Sequence, residues 1–170
     1  MIRLEQLLES WRAVRQDTAS AVEEFPSTEL DFRPTPDVAS FREIARHILD
    51  ASDGLTGMLL AGEENLSGPE FRERLRSHFR ALPADLGPVE MANALRESVE
   101  ERAGQLAQQS PEWYAGIVTR VDGQKVTRME MVQFVKEHEL THRQQLFLYL
   151  RLKGMVPATT RRRLARQAAK

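Results

Sequence analysis

The sequence predicts an all-α fold, a four-helix bundle. Three observations carry that expectation. Four long segments repeat apolar residues at helical spacing, two of them open on capping boxes, and little of the chain reads as strand.

The first helix is expected over residues 3–25, where Leu4, Leu7, Leu8, Trp11, Val14 and Val22 recur at helical spacing and Pro26 forces an end. Residues 27–39 contain Pro34 and Pro36 and read as a connector. Ser40 opens the second helix, with Glu43 three residues on to complete a capping box. Phe41, Ile44, Ile48, Leu55, Met58 and Leu59 form its apolar stripe, and Gly62 is the expected stop. Residues 63–87 are a long connection, with a short helix expected over residues 69–82. Pro88 suits the first position of the third helix. That helix runs to about residue 109, with Met91, Leu95, Val99 and Leu106 inward, and Ser110-Pro111 ends it. Residues 112–126, with Gly116 and Asp122-Gly123, suit either a short hairpin or a plain loop. Thr127 and Glu130 make the second capping box, and the fourth helix runs from there to Lys153, stopping at Gly154.

Composition narrows the function classes. A chain of 170 residues suits one domain, and 41% apolar with 29% charged residues describes a globular rather than a disordered chain. A formal net charge of -1 leaves no overall footprint for nucleic acid or an acidic membrane. The absence of cysteine excludes disulfides, thiolate ligands and a cysteine nucleophile. No run approaches the roughly 18 apolar residues of a membrane span, and the start lacks a signal-peptide pattern, so a cytoplasmic protein is expected. Residues 158–170 are set apart from a bundle over 1–157 as a basic tail. From Arg151 onward the chain carries Lys153, Arg161, Arg162, Arg163, Arg166 and Lys170 with no acid. It reads as a solvated terminus or a final packed helix rather than a nucleic-acid site.

The fourth helix is the informative one. Alternating steps of four and three give the stripe Met131, Val135, His138, His142, Gln145, Tyr149 and Leu152, apolar at both ends and therefore expected to face the core. Two histidines four apart share a helix face and can grip one ion. The competing account is a pair of histidines hydrogen-bonded to neighbours. His47 on the second helix, beside Ile44, Ile48 and Ala51, supplies a third imidazole and tilts the balance toward a metal site. The string His138-Glu139-Leu140-Thr141-His142 also matches the pattern of zinc proteases. No histidine or acid follows His142, so the downstream third ligand of those enzymes is missing. Glu139, one residue off the stripe, is expected to support a histidine or to sit on the surface.

The block from His138 through Arg143-Gln144-Gln145-Leu146, continuing to Tyr149-Leu150-Arg151-Leu152-Lys153-Gly154 and Pro157, resembles the signature of the DinB/YfiT-like superfamily. Leu30-Asp31-Phe32-Arg33-Pro34 and the stretch from Ser40 to His47 are similar to that family's lead into its second helix and first histidine. Gln144 stands where the family usually has glycine. The resemblance implies a bundle of up-down-down-up order, which the long connection between helices two and three fits as a crossover. It implies His47, His138 and His142 as metal ligands, and a homodimer. It also implies kinship with thiol-dependent transferases and isomerases that use bacillithiol, mycothiol or glutathione.

Three neutral imidazoles leave coordination positions open, as catalytic rather than structural sites do. Zinc or nickel suits them. An ion there can acidify a water or thiol, and with no cysteine in the chain a thiolate has to come from a low-molecular-weight thiol. The expected function is therefore a metal-dependent enzyme, such as a small-thiol-dependent S-transferase. The alternative is a non-catalytic metal- or ligand-binding stress-response protein. Ala51, Gly54 and Met58 follow His47 on one face, and Ala51 and Gly54 are candidates to leave room for a small-molecule substrate, or else simply to permit close packing. Gln145 is a candidate to orient a ligand, and Tyr149 reads as core.

Overall fold

The computed structural model describes residues 3–169; Met1, Ile2 and Lys170, the last counted above in the basic tail, lie outside them. The elements in order are α1 (Leu4–Glu23), a 3-10 turn (Ser27–Glu29), α2 (Phe41–Leu60), α3 (Phe71–Ser77), α4 (Pro88–Ala107) and α5 (Pro111–Ala115). The strands β1 (Ile117–Thr119) and β2 (Lys125–Thr127) follow, then α6 (Arg128–Leu152) and α7 (Ala158–Ala168). The bundle is α1, α2, α4 and α6, in which α1 and α2 each pack against both α4 and α6. No helix among the described residues is long and apolar enough to cross a membrane.

The expected start signals operate as the chemistry requires. Ser40 accepts from the Glu43 amide while Glu43 accepts from the Ser40 amide, and Thr127 with Glu130 does the same at α6. Pro88 is the first residue of α4. Gly62 and Gly154 hold φ of +84° and +74° just past the ends of α2 and α6, where a side chain would be strained. Sequence periodicity overestimated the crossover helix, which spans only Phe71–Ser77. Ser110 does more than end α4: its hydroxyl accepts from the Trp113 amide and so starts α5. The segment after α5 is a hairpin, with Val118 opposite Val126. The basic tail forms α7, which ion-pairs through Arg162 with Asp17 of α1 and through Arg161 with Glu24 just past its end.

Helix directions follow from two apolar clusters. One holds Val22 from the end of α1, Ile44 and Ile48 from the start of α2, Leu95 from the first half of α4 and Leu150 from the end of α6. The other holds Leu7 and Trp11, Leu55 and Met58, Val99 and Leu106, and Met131 and Val135. Starts of α2 and α4 therefore lie together, as do their ends, and both meet α1 and α6 the other way round. The order is up-down-down-up.

A belt of buried polar groups divides the two clusters. Glu139 is 1% exposed and accepts from Trp11 Nε1 (2.9 Å), Arg15 Nε (2.8 Å) and Thr18 Oγ1 (2.8 Å). Arg15 also donates to the Leu95 carbonyl at 3.0 Å and to Ser52 Oγ at 2.8 Å. Glu139 is thus neither a surface charge nor a histidine support. It holds the core position of α6, and the stripe expected to face the core is displaced: Gln145 and Leu152 are exposed, while Leu146 and Leu150 are buried. The cause is geometric. An α-helix drifts about 20° per heptad against a strict alternation of three and four, so over the three heptads from Met131 to Leu152 the stripe turns out of the core.

Candidate metal centre

α2 and α6 are antiparallel neighbours, so the middle of one lies beside the middle of the other. His47 projects from α2, and His138 and His142 project from α6, at the rim of the groove between them rather than in the core. His138 Nε2 lies 3.1 Å from His47 Nε2 and 3.2 Å from His142 Nε2. The three ligand atoms are all within 4.8 Å of one another. The rings cross at 62°, 66° and 86°, fanning around a common point. Imidazole nitrogens about 2.0–2.1 Å from one ion sit roughly 2.9–3.4 Å apart, depending on coordination number. The two spacings at His138 fall in that range.

The proton arrangement fits as well. Gln145 Oε1 accepts from His142 Nδ1 at 2.7 Å, which leaves His142 Nε2 bare and turned toward the other two. Burial pushes His138 down to about 4, and the neighbouring His142 and His47 push the same way against an opposing pull from Glu139. Burial, then His142, also lowers His47. His138 and His47 are therefore neutral near pH 7, the form a cation needs. Three converging imidazole nitrogens with no acid among them are a set that can hold a divalent cation.

The DinB family model matches residues 1–169. The chain belongs to the DinB family. No curated protein matches the sequence. Among solved structures, the DinB-like protein YjoA of Bacillus subtilis is 22% identical, with 89% of this chain and 93% of that one covered and a TM-score of 0.68. YfiT of Bacillus subtilis, described as a probable metal-dependent hydrolase with an unusual four-helix bundle topology, is 16% identical over 91% of each chain, with a TM-score of 0.64. A mycothiol-dependent maleylpyruvate isomerase is also 16% identical at a TM-score of 0.64; the match covers 85% of this chain but only 61% of the isomerase. At these identities the likeness is one of fold.

Around the histidines of this DinB-family chain lie two hollows. A cleft of about 510 Å³ is lined on one side by Arg42, Glu43, Arg46 and Asp50. Arg46 Nε contacts both oxygens of Asp50 at 3.0 Å, and burial raises the Asp50 carboxyl above its ordinary range despite that pairing. A smaller hollow of about 200 Å³ adjoins His47 and His138 and is otherwise apolar. Ala51 lines both. Gly54 lines neither: a Cβ there would lie 2.5 Å from Leu75 Cδ1, so this glycine lets α3 rest on α2. Met58 is fully buried in the core, and Tyr149 is buried with its hydroxyl bonded to the Ala39 carbonyl at 2.7 Å. His78 stands apart, its ring over Gly57 and its Nε2 3.8 Å from Glu63. Sequence reasoning passed over Phe134, whose ring centre lies 6.2 Å from that of His138, and the α3 residues that wall the hollows. Phe134 at i−4 from His138 was the available signal, since residues four apart share a helix face.

Proposed function

We propose that this DinB-family chain is a metal-dependent enzyme that activates a low-molecular-weight thiol and transfers its sulfur to a small electrophile. The observation that carries the proposal is the set of three Nε2 atoms converging at the groove rim, with one hollow against His47 and a second against His47 and His138. His47, His138 and His142 would hold a zinc or nickel ion, which when bound lowers the pKa of a coordinated thiol so that thiolate exists near neutral pH. The chain has no cysteine, so the sulfur is a co-substrate's. One structural neighbour is named as mycothiol-dependent and another as a probable metal-dependent hydrolase, which supports this chemistry over a purely structural ion.

The chain's own residues have distinct parts. Gln145 Oε1, 2.7 Å from His142 Nδ1, would hold the tautomer and tilt of His142. The cleft with Arg42 and Arg46 suits the polar body of the thiol. In transfer, sulfur bonds to the electrophilic carbon, the leaving group departs with its electron pair, and the thiol proton passes to solvent.

Metal analysis of protein purified without a histidine tag, beside a His142→Ala variant, tests the first half. About one zinc or nickel per chain in the parent and a loss of at least tenfold in affinity in the variant are expected. Conjugation assays with bacillithiol, mycothiol and glutathione test the second half. Full loading and a thermal shift with metal, but no turnover with any thiol, would favour a non-catalytic metal-binding protein.

A further inference from the structure

The smaller hollow is built rather than left over. It runs inward from His47 and His138, with Ala51 and Leu55 of α2, Phe71 and Leu75 of α3, and Met131 and Phe134 of α6 among its walls. Apart from the two histidines, every lining side chain is apolar. Each wall is fastened separately. α3 is seated where α2 carries no side chains, because a Cβ at Gly54 would meet Leu75 at 2.5 Å and one at Gly57 would meet His78 at 2.6 Å. Just beyond α3, Arg80 Nε donates to the buried Asp53 at 3.4 Å. The hairpin side, which contributes Val121, is pinned to the crossover: the Leu66 amide donates to the Thr119 carbonyl and the Thr119 amide to the Glu64 carbonyl, both at 2.7 Å. Collapse of the hollow would break these attachments. An apolar cavity of about 150 Å³ is enough to take a benzene ring.

We propose that this hollow is a specificity subsite for the electrophile, taking an uncharged apolar group of about one aromatic ring or a short branched chain, joined directly to the atoms that approach the three histidines. The assignment rests on the metal-site reading above and adds the class of molecule. Charge sorts the two hollows. Arg42, Glu43, Arg46 and Asp50 all face the larger cleft, and none faces the smaller one. A charged group in the smaller hollow would lose its hydration and gain no partner. His47, Ala51 and Leu75 line both, so the substrate divides by polarity at those residues.

Isothermal titration of zinc-loaded protein with acetohydroxamate, benzohydroxamate and 4-carboxybenzohydroxamate tests the subsite by binding, without any need for turnover. Benzohydroxamate is expected to bind about 10- to 100-fold more tightly than acetohydroxamate, from burial of the ring. The 4-carboxylate should lose most of that gain. Ala51→Leu, which adds bulk where Ala51 lines the hollow, should bring the first two ligands within about threefold while zinc content stays at the parent level. Phe134→Ala, at a partly exposed position, should enlarge the hollow and favour a naphthyl hydroxamate; it decides the matter alone if Ala51→Leu fails to fold. Zinc bound normally with a flat series, or a ring preference that survives both substitutions, overturns the subsite and leaves the metal site standing. A parent protein that binds neither zinc nor nickel overturns both.

Discussion

His138 and Glu139 are adjacent in sequence and belong to opposite kinds of polar assembly. Glu139 points into the bundle, where three donors from α1 satisfy it and Arg15 neutralises it. His138 points to the groove, where its nearest polar neighbours are two more imidazole nitrogens. The first assembly is closed: its charges and donors have partners within the protein. The second is open, because three imidazole nitrogens converge and no acid among the described residues joins them. Burial or polarity alone does not separate structure from function here; the presence or absence of an internal partner does.

The comparison breaks most visibly at Glu139. Glu139→Ala leaves Arg15 charged and buried without its counter-ion, and removing one partner of a buried ion pair costs about 3–5 kcal/mol. That is a large share of the roughly 5–15 kcal/mol that holds an ordinary domain together. Urea denaturation of the metal-free protein should show a correspondingly lower midpoint. His142→Ala should cost under about 1 kcal/mol in the same measurement, since substitutions away from the core rarely do more. Equal losses in the two variants would erase the distinction between a closed and an open assembly.

Next in size is the response to pH. Burial holds His138 down near pH 4, and burial together with His142 lowers His47, while the unfolded chain keeps imidazoles near the ordinary 6.5. Between those values the unfolded state binds protons that the folded state refuses, so stability rises with pH in that window. The contribution is complete above about pH 6.5 and is lost as pH falls toward 4. Urea midpoints of the metal-free protein at pH 7, 6 and 5 should fall in that order, and His138→Ala should flatten the series. A slope unchanged in the variant would locate the pH dependence elsewhere. The same shifts weaken proton competition for the ion. Zinc affinity should therefore hold to lower pH than the onset near 6 that ordinary imidazoles would give.

How much of this was legible in sequence depends on which physical signal each feature leaves. Capping boxes at Ser40 and Thr127, the proline at the head of α4 and the glycines after α2 and α6 are local devices, and they mark the helix ends without tertiary knowledge. The histidine set was legible because imidazole is scarce and two of the three are one turn apart. The inward face of α6 was misplaced by one residue, since a strict three-four stripe ignores the drift of a real helix over 25 residues. The polar belt left a quieter trace: Leu8, Trp11, Arg15, Thr18 and Val22 alternate by three and four on α1, so a charge at a core position calls for an opposite one elsewhere. The hollows left none, because their walls come from four segments whose meeting is fixed only by tertiary packing.

The smallest expected effect sharpens the comparison most, because it asks whether the open assembly has any support of its own. Gln145 is exposed, and its one bond to protein that concerns the site is the acceptance from His142 Nδ1. If that bond only decorates the surface, Gln145→Ala changes nothing. If it fixes the tautomer and orientation of His142, the loss should weaken zinc binding by about 10- to 100-fold, the usual effect of removing an outer partner of a ligating histidine. The urea midpoint of the metal-free protein should not move. Gln145→Glu keeps an acceptor oxygen and adds a charge that makes the imidazole a better donor of its lone pair, so affinity should return to the parent level or exceed it. Competition against a chelator of known strength measures all three proteins. Parent affinity in the alanine variant would show that His142 is held by helix geometry alone. Loss in both variants would mean that the amide nitrogen, not the oxygen, faces the ring.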